Sequence, residues 1–281
     1  MDADKQNMKV NFLIIGAMKA GTTTLYKILR EHPDISVSKI KETNFFSRSP
    51  DWKKELPRYH KLFKQGYGKI YGEASPSYSG YPKSGEIWND IYEYNPDMKI
   101  IYMIRNPYER SISHYMHVYE RGYTDLPIEK AFEEIPRLIN CSRYYYQIKP
   151  YIEKFGKEQV FLIDFEDFIK DRKTVIRKLS EFLEIDSDAF PPFENIHANR
   201  SVGDVKLPPR YDKLVRFLTP TARHVPEPIR LKIKKLFADR SRSFSQKPEM
   251  PKTARENMTQ HMITEIPELE KLLNKKLIHW K

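Results

Sequence analysis

One cysteine in 281 residues, Cys141, has no partner for an internal disulfide and fits a reducing compartment. No apolar run approaches the roughly 20 residues that cross a bilayer. The opening MDADKQNMKV is polar and lacks the apolar core of a signal peptide, so a cytoplasmic protein is the expectation. No internal repeat or low-complexity segment interrupts the chain. Two further absences are local. The first glycine loop, Gly16 to Gly21, has the spacing of a phosphate loop, but Thr22 stands where that loop requires lysine. The apolar run Lys99 to Ile104 is followed by Arg105, not by the acid that helps hold magnesium in nucleoside triphosphatases.

What is present is ordinary for a folded protein, with 40% hydrophobic and 31% charged residues in a chain long enough to bury a core. The charge is uneven. The chain carries a formal +11, and between Lys206 and Lys247 twelve Lys or Arg face three acids, a local +9. Such a stretch suits an anionic partner, whether a charged substrate, a membrane surface or nucleic acid, and equally suits a solvated face.

Short apolar runs alternate with helical patterns, which predicts a parallel α/β sheet. Strands are expected at Phe12–Gly16, Lys69–Glu73, Lys99–Ile104 and Val160–Asp164. Helices are expected at Thr22–Arg30, Asp51–Phe63, Pro107–Arg121, Ser142–Phe155, through most of Phe165–Leu183, and at Ile229–Phe237 and Ile266–Leu273. Pro107 in a first turn is a start signal. After Pro191-Pro192 the strand signal fades into a basic, helical region. That region reads as a cap on the same domain, with a second unit as the alternative.

Two clusters carry chemistry. In "NFLIIGAMKAGTTTLYKIL" the glycines permit close backbone approach, and the amides of Gly21 to Thr24 open a helix whose dipole favours an anion. Three threonines add hydroxyls, although one of them is accounted for by N-capping. In "IIYMIRNPYERSISHY" Arg105 calls for a second anion, and Ser113, about two turns into the next helix, can join it. Arg110 is expected to pair with an acid. Two anion sites at neighbouring strand ends, without a metal-holding acid, describe a nucleotide with separate negative groups.

"KAGTTTLY" and "RNPYERSISHY" resemble the two nucleotide signatures of sulfotransferases that use 3′-phosphoadenosine 5′-phosphosulfate. The likeness runs from about Asn11 to Lys170, with an echo in the closing "LEKLLNKKLIHW". It implies a single sulfotransferase domain over 1–281, in which a central parallel sheet flanked by helices forms a nucleotide-binding core (1–190) and a basic helical region follows (191–281). It further implies that Lys19, Ala20, Gly21, Thr22, Thr23 and Thr24 hold the phosphosulfate, that Arg105 and Ser113 hold the 3′-phosphate, and that no metal is required. The family's third nucleotide contact, a basic loop late in the chain, has no clean match; Asn199 and Arg200, in "NRSVGDVK", are the nearest candidates.

"KETNFF" is similar to the Glu-x-x-Phe-Phe segment of heparan 3-O and N-sulfating enzymes, which makes Glu42 the implied catalytic base beside Lys19. The 3-O enzymes carry histidine at the position of Asn44 and lysine at that of Ala74. The resemblance therefore implies the reaction, with adenosine 3′,5′-bisphosphate as product, and leaves the acceptor open among glycan, glycolipid, small metabolite and peptide tyrosine. His114 and His117, on the helix after Arg105, are expected to pack or to face the nucleotide. No nucleic acid is expected, and peripheral contact with an anionic membrane fits the basic stretch. The rival readings are a kinase-like phosphate-loop enzyme, which needs the two missing residues, and a non-catalytic polyanion or membrane binder, which leaves both loop motifs unexplained.

Overall fold

The computed structural model describes residues 8–64, 68–196 and 244–280. Asn199, Arg200 and most of the basic stretch from Lys206, including the helix expected at 229–237, lie outside the described residues.

The chain runs β1 (Phe12–Gly16), α1 (Thr22–Arg30), β2 (Ile35–Val37), α2 (Phe45–Arg48), α3 (Trp52–His60), β3 (Ile70–Ala74), a 3₁₀ turn (Pro76–Ser79), α4 (Ile87–Tyr94) and β4 (Lys99–Ile104). It continues with α5 (Pro107–Glu120), α6 (Ile128–Glu134), α7 (Arg137–Asn140), α8 (Tyr144–Phe155), β5 (Val160–Asp164), α9 (Phe165–Lys170), α10 (Arg172–Leu183) and, after the undescribed stretch, α11 (Lys252–Leu273). All strand pairs are parallel, in the order β2-β3-β1-β4-β5. Every residue of β1 is buried, as expected for a strand covered on both faces.

The order decides where a ligand can sit. From β1 the chain moves out to β2 and back to β3, then crosses β1 to reach β4. The switch point therefore falls between β1 and β4, where open α/β sheets bind ligands at the carboxyl ends of their strands.

The expected strands and helices recur, with differences that have local causes. Sequence pattern does not reveal β2, because three residues (ISV) are too short for a period. The helix expected through Phe165–Leu183 breaks at Asp171, whose side chain accepts from the Thr174 amide at 3.1 Å and caps α10. The last helix begins fourteen residues before its expected start at Ile266. Its buried stripe, Ala254, Met258, Met262, Glu265 and Leu269, keeps helical spacing but contains an acid. Buried Glu265 accepts from the amides of Tyr145 (2.7 Å) and Tyr146 (3.3 Å), satisfying orphan donors at the start of α8.

The main core wraps the sheet and includes Leu269, Leu277 and Trp280 from the tail. A second cluster joins α5, α6 and α7 to Met250, Ala254, Met258 and Met262. Among the described residues no helix is long and apolar enough to cross a membrane.

Candidate functional site

The loop after β1 is shaped by its glycines. Gly16 lies against Ser79, where an added Cβ would come within 2.1 Å of Oγ. Gly21 has φ +93°, and a Cβ there would meet the Phe165 ring at 2.7 Å. Gly21 is also the N-cap of α1, without a side-chain bond and with no acid in the first turn. None of the three threonines is the cap, contrary to the sequence reading. Thr22 and Thr24 are buried, and Thr23 is half-buried on the same turn. Ala20 is buried, its amide bonded to the Ala17 carbonyl at 3.1 Å. Lys19, at φ 70°, is half-buried.

Across the switch point, Arg105 Nη1 donates to the Lys19 carbonyl at 3.4 Å, and its guanidinium lies 4.9 Å from the Phe165 ring centroid. Burial pulls its pKa below the usual arginine value, against the nearby Tyr144 and Glu166. Among the described residues its Nε is buried without a hydrogen-bond partner, an unmet donor beside the loop. Nη2 reaches Glu109 at 3.6 Å, and Lys247 pairs with the same carboxylate. Burial and then the Arg105 charge lower the Lys247 pKa. Lys247 thus joins this corner from a distant part of the chain. In sequence Lys247 is the last of the basic residues from Lys206, distinguished by nothing but its charge.

Ser113 is buried on α5. Arg110 departs from expectation, for among the described residues no acid pairs with it. It is fully buried, with Nε donating to Ser142 Oγ at 2.5 Å, Nη2 to Ser111 Oγ and the Leu138 carbonyl, and Nη1 meeting His114 Nδ1 at 3.1 Å. Burial, then the charges of Arg110, Arg137, His117 and Lys19, hold the His114 pKa well below its ordinary value. His114 is therefore neutral, with Nδ1 as acceptor.

The acid at a strand end belongs to β5. Asp164 caps α9 and takes Lys275 at 2.5 Å, while Lys275 also bonds Asp167 at 2.7 Å. Asp164, Glu166 and His279 bring ligand-type atoms within 4.8 Å of one another. The Lys275 ammonium already neutralises Asp164 in that group. Burial, then the Asp164 charge, raises the Glu166 pKa to about 7. The tail is fastened beside Arg105, because Asn106 Nδ2 donates to the His279 carbonyl at 3.1 Å and Trp280 packs 5.5 Å from Tyr144, whose hydroxyl bonds the Arg105 carbonyl at 2.7 Å.

Glu42 lies on the other side of β1. Its amide bonds the carbonyl of Ala74, the last residue of β3, at 2.9 Å, so it shares the carboxyl edge of the sheet with Gly16. Its side chain is half exposed and paired with Lys41 at 2.7 Å. Glu42 (φ 63°) and Asn44 (φ 52°) are both left-handed, each at a cost of about 1–2 kcal/mol that the surroundings must offset. Asn44 Nδ2 donates to the Glu42 carbonyl at 2.6 Å, and Ser77 Oγ donates to Asn44 Oδ1 at 2.6 Å. Asn44 therefore braces the loop.

The sulfotransferase domain model matches residues 9–209 of this chain. The chain belongs to the sulfotransferase domain family. It is 31% identical over 132 residues to the membrane-associated sulfotransferase kil1 of Dictyostelium discoideum, across 44% of this chain and 27% of that protein. It is 25% identical over 186 residues to heparan sulfate glucosamine 3-O-sulfotransferase 5 of Mus musculus, across 62% of this chain and 53% of that one. The chain thus spans about a quarter to a half of the length of these curated relatives. A crystal structure of a sulfotransferase from Alicyclobacillus acidocaldarius superposes with a TM-score of 0.68 at 26% identity, covering 98% of this chain and 99% of that one.

Proposed function

We propose that this sulfotransferase moves a sulfuryl group from 3′-phosphoadenosine 5′-phosphosulfate to a hydroxyl or amine of an acceptor, a carbohydrate or glycoconjugate. One observation carries the reading. Two anion-seeking corners adjoin at the switch point: an uncapped helix N-terminus behind Lys19, and Arg105 with a buried, unmet Nε. The residues fit the donor. Lys19, Ala20, Gly21 and Thr22 to Thr24 would take its phosphosulfate, and Arg105 and Ser113 its 3′-phosphate, joined by Lys247 beside Glu109. Asn199 and Arg200 stand as the sequence-based proposal for the remaining contact. The glycines that a Cβ would crowd let the backbone amides approach the ligand.

The donor supplies an activated sulfur whose leaving group is the 5′-phosphate of adenosine 3′,5′-bisphosphate. Glu42 takes the proton of the acceptor O–H or N–H as the new bond to sulfur forms and the sulfur–oxygen bond to the phosphate breaks. Lys19 neutralises the charge that appears on the leaving oxygen. Positioning and fixed charge supply the rate, as in phosphoryl transfer, and none of these steps calls on a metal ion. A carbohydrate acceptor is supported by the similarity to an enzyme named for heparan sulfate glucosamine, while Asn44 and Ala74 set this chain apart from the 3-O pattern. The charge between Lys206 and Lys247 suits an anionic acceptor or a membrane carrying one. A single domain over 1–281 is supported by the tail, whose Trp280 lies in the main core.

The test is transfer of ³⁵S label from the donor to material in an extract of the native cell. Label appearing in a glycan or glycoconjugate fraction, and not with Lys19→Ala, upholds the reading. Label that never leaves the donor overturns it.

A further inference from the structure

Glu73 is a buried acid near the site to which the proposed reaction gives no role. It sits near the end of β3, opposite Leu13 of β1, and is fully buried. Among the described residues no cation pairs with it. Four hydroxyls donate to its carboxylate instead: Thr43 and Ser75 (2.8 Å) to Oε2, Tyr59 (3.0 Å) and Tyr78 (2.6 Å) to Oε1. Burial raises its pKa and these four bonds oppose the rise.

Three of those hydroxyls are used twice. Ser75 Oγ accepts the amide of Asn44 at 3.0 Å, Thr43 Oγ1 the amide of Phe45 at 3.3 Å, and Tyr78 OH the amide of Phe46 at 3.3 Å. An ionised carboxylate can only accept. It therefore draws one proton from each hydroxyl and leaves the lone pairs to face three consecutive amides of the loop that follows Glu42.

We infer that Glu73 is a positioning residue, whose carboxylate sets the direction of three hydroxyl groups and so fixes the loop that presents Glu42 to the acceptor. It touches neither substrate in this account and acts through Thr43, Ser75 and Tyr78. The catalytic part of the inference rests on Glu42 as the base, whereas the anchoring part does not. Glutamine in its place has nearly the same shape but adds an amide donor. The two hydroxyls on that side must then offer it a lone pair and turn their protons elsewhere, which disturbs their bonds to the loop amides.

The experiment is amide hydrogen exchange on Glu73→Gln, with turnover and affinity for adenosine 3′,5′-bisphosphate measured alongside. Exchange at Asn44, Phe45 or Phe46 should rise at least about tenfold, and kcat should fall at least about tenfold while nucleotide affinity stays within about twofold. Adding Glu73→Gln to Glu42→Gln should lower kcat no further, because the group being positioned is already gone. A purely structural role would instead lower both backgrounds alike. Should Glu73→Gln fail to fold, Thr43→Val removes one relay alone, and exchange should then rise at Phe45. Unchanged exchange at all three amides overturns the inference, as does faster exchange with intact kcat when Glu42→Gln itself is impaired. If Glu42→Gln retains full turnover, the base assignment fails, and the exchange result alone then upholds or overturns the anchoring.

Discussion

The two sides of β1 solve opposite electrostatic problems. Towards β4 the site is built to receive charge: Arg105 and Lys247 crowd one carboxylate, Glu109, and the helix behind Lys19 carries no acid in its first turn. Towards β2 and β3 it is built to keep charge of its own, with Glu42 in a left-handed loop and Glu73 sealed beneath it among four hydroxyls. On the side towards β4, Arg105 Nε has no hydrogen-bond partner among the described residues, while on the side towards β2 and β3 four hydroxyls satisfy Glu73. The proposed reaction, which takes a polyanionic donor on one side and removes a proton from an acceptor O–H or N–H on the other, suits that asymmetry.

Mutations can break each half separately. Lys19→Ala should have the largest effect, a loss of about 10³-fold or more in turnover with the fold intact, since it removes charge stabilisation at the leaving oxygen; thermal unfolding and label transfer check both parts. Glu42→Gln should lower kcat by at least about 10²-fold and leave nucleotide affinity unchanged, as loss of a positioned base does. Unchanged turnover would move the base away from Glu42. Arg105→Ala should weaken adenosine 3′,5′-bisphosphate by about 1.5–3 kcal/mol, or roughly one to two decades, and adenosine 5′-phosphate far less. Equal losses for the two nucleotides, measured by calorimetry, would separate Arg105 from the 3′-phosphate.

The smallest effect concerns Glu166, which borders both Arg105 and the tail. Its folded pKa, about 7, lies above the unfolded value, so the folded state holds the extra proton and stability falls as pH rises from about 4.5 to 7. His279 faces both Asp164 and Glu166, Lys275 faces Asp164, and Glu166 is 36% exposed, so solvent reduces the effect to about 1 kcal/mol. Glu166→Gln should therefore raise the melting temperature at pH 8 relative to wild type, and the gain should vanish near pH 4. A gain that is the same at both pH values would show that the carboxylate's ionisation is not its source.

The same comparison explains what could be read from sequence. The donor side is local: strand, glycine loop and helix lie within Phe12–Arg30, and Arg105 directly follows an apolar strand. Period and spacing reveal both. The proposed acceptor side is assembled from Thr43, Tyr59, Glu73, Ser75 and Tyr78, which come from α3, β3, the 3₁₀ turn and two loops and share no period. "KETNFF" points to Glu42 by resemblance, yet nothing in "YGEASPSY" distinguishes a buried acid from a surface one. Arg110 shows the reverse error. An arginine on a helix near an acid-bearing sequence reads as half of an ion pair, but the hydroxyls of Ser111 and Ser142 and a carbonyl satisfy it in the core. Lys247 escaped because only tertiary folding brings it to Glu109.

The central claim is that the β1–β4 corner takes a nucleotide with separate 5′ and 3′ anions. Competition calorimetry of the full chain with adenosine 3′,5′-bisphosphate, adenosine 5′-phosphate and ATP with magnesium tests it most directly. The account predicts that the bisphosphate binds at least about tenfold tighter than either of the others, and that this margin disappears in Arg105→Ala. Equal or tighter binding of ATP with magnesium would contradict it.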